Sequence, residues 1–158
     1  MPAIQWLNDE QVALLKNFFR TRPGWLDISA SVSVYQNGAI AAGVSEARYY
    51  VDDKIANVIC YFSITAAGTA GNPIYVLLPV FLTPVYSAGN LTNLGSYNYV
   101  DTGTNIYHGY ASYAGLITGL PTIGGFAHAA GAGFIGQTPN FATANGDFMG
   151  INLAYRLA

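Results

Sequence analysis

The sequence predicts an all-β domain of about eight antiparallel strands, a sandwich or barrel, led by a short N-terminal α-helix. Three observations carry this. After Gly24 the apolar period changes from helical to the strict alternation of strands. Short apolar runs then recur between Gly, Pro, Asn and Asp turn signals as far as the C-terminus. Between Ile55 and Gly146 the single formally charged residue is Asp101, in a stretch filled with Tyr, Gly, Ala, Asn and Thr. Such a stretch suits packed strands, neutral turns and buried subunit contacts. It is poor in the paired ionisable groups on which most enzymes depend.

The helix is placed at about residues 9–20. Asn8 is a good N-cap, with Gln11 at capping-box spacing and Leu7 and Val12 in the staple positions. Asp9 and Glu10 in the first turn, and Lys16 and Arg20 in the last, match the macrodipole. Pro23-Gly24 ends it. Val12, Leu15 and Phe19 form one apolar stripe, widened by Leu14 and Phe18. A helix this short is marginal alone in water, so it is expected to dock, on its own domain or on a partner or symmetry mate. The domain division is therefore 1–23, a helical anchoring segment, and 24–158, the β body.

Strands follow in order. Trp25 to Tyr35 alternates and ends at the Gln36-Asn37-Gly38 turn. Glu46 to Val51 is short, and Asp52-Asp53 turns the chain into the long run Lys54 to Thr65. After the loop at 66–73, Ile74 to Leu78 is continuously apolar, as in a strand buried on both faces. Pro84 to Asn93 reads as loop. Tyr97 to Val100, Thr104 to Tyr113, Leu116 to Thr118, Gly133 to Ile135 and Asp147 to Leu157 complete the strand set.

Composition narrows the function. A chain of 158 residues fits one domain, able to bury roughly 70% of its unfolded surface. It is 52% hydrophobic and 9% charged, against about 25% charged in ordinary soluble domains. With a net charge of -2, so apolar a surface is expected to associate. Six Lys and Arg residues cannot build a nucleic-acid surface. The start, Met1-Pro2-Ala3-Ile4-Gln5-Trp6, lacks a signal-peptide pattern, and no apolar run is long enough for a membrane helix. The lone Cys60, in a strand-like run, reads as a buried thiol.

Candidate chemistry is sparse. The sequence holds no glycine-rich phosphate loop, no zinc-type Cys pairs and no nucleophile elbow. Asp9-Glu10 opens a helix and Asp52-Asp53 makes a turn, both ordinary roles for carboxylates. His108 and His128 are the two histidines, each read as a surface or hydrogen-bonded residue. No catalytic residue, cofactor or metal is expected. Tyr97, Tyr99, Tyr107, Tyr110 and Tyr113 cluster among Asn, Thr and Gly. They are candidate carbohydrate-stacking residues. The competing and favoured reading is that they fill the core or a subunit interface, since Tyr97 and Tyr99 share one strand face.

A Trp-led strand (Trp25 to Tyr35) precedes Ala47-Arg48-Tyr49-Tyr50. The Asp52-Asp53-Lys54 turn leads to the alternating strand with Val58, Cys60, Phe62 and Ile64. Ile74 to Pro79 then runs toward Pro84, and an apolar strand ends at Tyr155-Arg156-Leu157. This order, over about 24–158, resembles the jelly-roll modules of bacteriophage virion proteins, such as tail-fibre tips and head or tail decoration proteins. The resemblance implies a jelly-roll β-sandwich, usually trimeric, without enzymatic activity. No shaft, collagen-like tract or heptad region precedes the module, so a small protein decorating capsid or tail is expected. Its expected location is the virion, after assembly in the host cytoplasm. The partners expected are further copies of itself and other virion proteins, with Trp6, Val12, Leu15, Phe18 and Phe19 as the anchoring residues. The alternatives are a receptor-binding module for host-surface carbohydrate and a small membrane β-barrel.

Overall fold

From Ile55 to Ile64 the chain shows why it makes sheet. Ala56, Val58, Cys60, Phe62 and Ile64 are buried, while Asn57, Ile59, Tyr61 and Ser63 face the other way. β-branched and aromatic residues with this period pack well on a pleated surface. A computed structural model describes residues 24–88, 92–127 and 133–158. The helix expected at about 9–20, the anchoring residues Trp6, Val12, Leu15, Phe18 and Phe19, and His128 lie outside the described residues.

The described chain is all-β and antiparallel, as expected. Its strands are β1 (Leu26–Asp27), β2 (Ser33–Tyr35), β3 (Ala39–Ile40), β4 (Ala42–Asp52), β5 (Ile55–Ile64), β6 (Tyr75–Leu77), β7 (Gly95–Asp101), β8 (Asn105–Ile117), β9 (Leu120–Ala127) and β10 (Phe148–Arg156). They form one curled ten-stranded sheet in the order β1-β4-β5-β10-β7-β8-β9-β6-β2-β3. The curl puts the buried side chains on the inside, where Val58, Phe62, Tyr97, Tyr99, Ile123, Ile151 and Leu153 make one core.

Ten strands replace the expected eight or so for local reasons. The run Trp25 to Tyr35 is not one strand. The Asp27 carboxylate accepts the Ser29 backbone N–H at 2.8 Å, and Ser29–Ser31 turns as a single 3-10 helix. This side-chain competition with the ladder sends β1 and β2 to opposite sides of the sheet. Leu116 to Thr118 is not separate either. It continues the strand begun at Asn105, through a register shift between Tyr113 and Gly115. The strand expected at Glu46 starts earlier, at Ala42, with a bulge between Val44 and Glu46. Gly133 to Ile135 makes only an isolated bridge, Phe126 with Phe134. Leu120 to Ala127 is a strand the period did not reveal.

Two buried polar side chains fix the loops at one end. Gln36 Nε2 donates to the Asn72 and Phe141 carbonyls, both at 2.9 Å, and its Oε1 accepts the Thr143 N–H at 2.9 Å. Asp147 Oδ2 accepts the Tyr99 hydroxyl at 2.6 Å and the Ala144 N–H at 2.8 Å, while Oδ1 accepts the Thr102 N–H at 2.9 Å. Every lone pair so used replaces water that burial removes. Asp147 immediately precedes β10, so this network sets where Phe148 begins that strand.

Candidate binding face

Outward positions follow from register. Phe148 pairs with Ser63 on one side and Val100 on the other, and Val100 pairs with Ile106. One step along, Gly150 lies between Tyr61 and Asn98, and Asn98 pairs with His108. Two neighbouring rows thus cross β5, β10, β7 and β8 with aromatic, aliphatic and neutral polar groups.

Within these rows sits an open groove of about 270 Å³, with Ser45, Ser63, Tyr61, Asn98, Val100 and Phe148 among its lining residues. Tyr61 is 45% exposed and Phe148 is 51% exposed. Gly150 is buried although it faces outward, because the Tyr61 ring covers it. A Cβ at Gly150 would come 2.7 Å from Tyr61 Cδ1. His108 Nδ1–H donates to Asn98 Oδ1 at 2.7 Å. That contact orients the Asn98 amide and leaves its Nδ2 hydrogens pointing to other partners. The Ser45 and Ser63 hydroxyls stand 3.4 Å apart on the far side. No Asp, Glu, Lys or Arg lines the groove. The nearest in register is Glu46, opposite Tyr61, which forms an exposed ion pair with Arg48 at 3.5 Å.

The tyrosines singled out from sequence divide. Tyr97 and Tyr99 are fully buried and Tyr113 nearly so, which corrects their candidacy for stacking on a sugar: no ring face is open. Tyr97 donates to the Ile74 carbonyl at 3.1 Å. Tyr107 is half-buried and stacks on Phe141 with centroids 5.0 Å apart. Tyr110 is half-buried and stacks on Phe126 at 5.2 Å. Both rings already have an aromatic partner on one face. The groove residues were overlooked, yet a signal existed. Tyr61 has outward parity in the clearest alternating run of the chain, and Gly150 in an apolar strand marks a close approach.

Acid–base and metal chemistry find little footing here. Among the described residues no group of three or more His, Cys, Asp or Glu side chains is placed to hold a metal ion. Cys60 is buried, and burial pushes its thiol up to about 12, which opposes formation of a nucleophilic thiolate.

A second exposed apolar set lies where the described chain begins. Trp25 meets Tyr50 edge-on at 4.6 Å, Leu26 pairs with Tyr49, and Tyr49 contacts Phe81 at 5.2 Å. Leu26, Phe81 and Val80 are all exposed. No helix among the described residues is long and apolar enough to cross a membrane. The outward residues of β5 and β10 include Asn57, Ser63, Asn152 and Arg156 around an apolar interior. A membrane barrel instead turns an apolar band to lipid and a polar lining inward. No protein-family model, curated protein or solved structure matches the chain.

Proposed function

We propose that this chain is a non-enzymatic structural protein of a bacteriophage virion. In this reading it is a jelly-roll homotrimer that decorates capsid or tail and is anchored through residues 1–23. The observation that carries it is the combination of a nearly uncharged β body with large apolar side chains left exposed, Trp25, Leu26, Val80, Phe81 and Val85 among them. Large apolar side chains left exposed in this number are often covered by a partner. These residues stand near the point where the 1–23 segment joins the body, so attachment and self-association would share one region. The jelly-roll reading draws on sheet order. β10 lies between β5 and β7, and β6 between β9 and β2, which are crossovers of the kind that winding antiparallel strands into a double sheet requires.

Deleting residues 1–22 tests the reading. The truncated chain should keep its β-rich circular dichroism and its oligomeric mass, yet no longer co-sediment with virus particles that bind the full chain. Aggregation or unfolding of the truncated chain would place the segment in the domain's own core and overturn its role as anchor. Failure of the full chain to bind any phage particle would overturn the virion reading itself.

A further inference from the structure

We infer that the groove on the outer face of β5, β10 and β7 binds a neutral saccharide, with Tyr61 as the stacking platform and Asn98 and Ser63 as hydroxyl partners. This does not rest on the virion reading. Cδ1 and Cε1 of the Tyr61 ring lie over Gly150, where a side chain would otherwise stand, and the residue is 45% exposed. A flat aromatic ring partly open to solvent suits the C–H face of a sugar ring, and Tyr loses little rotamer freedom on binding. Phe148, one pair further along the sheet, supplies a second apolar wall.

Polar groups stand at the edges of that platform. Asn98 lies across Gly150 from Tyr61, and its oxygen is occupied by His108. Its amide hydrogens are thereby aimed as donors. The Ser63 and Ser45 hydroxyls both donate and accept, as sugar hydroxyls also do. The absence of a charged lining residue decides the class of ligand. An anionic ligand would lose hydration here without gaining a counter-charge, and the neighbouring carboxylate, Glu46 opposite Tyr61, is already paired with Arg48. At about 270 Å³ the groove falls just below the usual range of ligand pockets, about 300–1,000 Å³. One sugar ring would seat in it, with neighbouring rings lying along the neutral sheet face beyond.

The test is a titration of the full chain with a panel of neutral oligosaccharides built from glucose, galactose, mannose and N-acetylglucosamine, read by saturation-transfer NMR and calorimetry. At least one should bind with a Kd in the millimolar range or tighter, and sialyllactose should bind no better than lactose. Tyr61→Ala and Asn98→Ala should each weaken that binding about tenfold, which corresponds to losing one good contact. Gly150→Ala should also weaken it, since it tips the ring while removing no contacting group. Leu116→Ala, exposed near the opposite end of β8, should change nothing. If Tyr61→Ala does not fold, Asn98→Ala and Ser63→Ala decide. Absence of binding across the panel overturns the proposal. So does a result in which the variants lower the oligomeric mass and leave sugar binding unchanged, because the face would then be a contact between copies.

Discussion

Three tyrosine hydroxyls in the core each donate to an oxygen: Tyr97 to the Ile74 carbonyl, Tyr99 to Asp147 and Tyr155 to the Leu82 carbonyl. Burial raises all three phenols above their usual range, and at Tyr99 the hydrogen bond to Asp147 adds to the rise. Burial raises the Cys60 thiol as well. The folded chain therefore keeps protons that the unfolded chain gives up. Stability from these groups is intact below the unfolded values of about 8.5 for Cys and 10 for Tyr, and it is lost as pH climbs past them. Melting temperatures should nearly coincide from about pH 5 to 8 and fall steeply above about pH 10, where each group withdraws about 1.4 kcal/mol per pH unit. Circular-dichroism melts at fixed ionic strength check this; a flat profile through the alkaline range would contradict it. Gln36→Leu should cost about 3 kcal/mol or more in urea denaturation, because two carbonyls and one N–H are left buried without partners. At this scale legibility depended on parity. Cys60 stands between Val58 and Phe62 at buried positions, so its environment could be read. Gln36 and Asp147 could not be placed. Their partners lie as far as 107 and 48 residues away in the chain, and polar types at buried positions carry no periodic signal.

At the scale of elements, the alternating strands β5 and β10 were readable and the doubly covered β9 was not. β5 alternates along its whole length and β10 from Ile151 onward, and their limits were found to within a residue or so. β9 is buried at nearly every position and is interrupted by Pro121, Gly124 and Gly125, which read as turn punctuation. The glycines are there for room. The Tyr97 ring lies where a Gly125 side chain would be, and the Phe134 and Tyr75 rings crowd Gly124. Gly125→Ala should therefore destabilise the domain by about 2–3 kcal/mol through overpacking against a ring that cannot retreat. A chemical-denaturation midpoint close to that of the parent chain would show that the core yields there. The groove fell between these cases. Outward parity located Tyr61 on the surface, but its neighbours Phe148, Asn98 and His108 are brought beside it by pairings that the linear order does not state.

For the whole molecule, low charge and exposed apolar residues predict a closed oligomer. Light scattering at micromolar concentration should give about three times the single-chain mass, and a monodisperse single-chain mass would refute it. The sheet's borders bear on what kind of assembly is open to it. Both terminal strands, β1 and β3, are two residues long, and β3 runs on through Ala41 into β4. The Ala41 carbonyl is occupied by the Thr65 backbone N–H and hydroxyl. Among the described residues, β1 pairs with Arg48 and Tyr49 of β4, the Ile28 N–H reaches the Ala47 carbonyl, and no other strand pairs with that margin. Along that margin the chain places a bulge and, from its small stock of charges, Glu46, Arg48 and Asp52. Bulges and charges are what keep a bare margin from templating a neighbour's backbone. In a protein this apolar and this rich in strands, those charges oppose backbone pairing between copies along this margin. Association between copies is thereby directed toward side-chain faces.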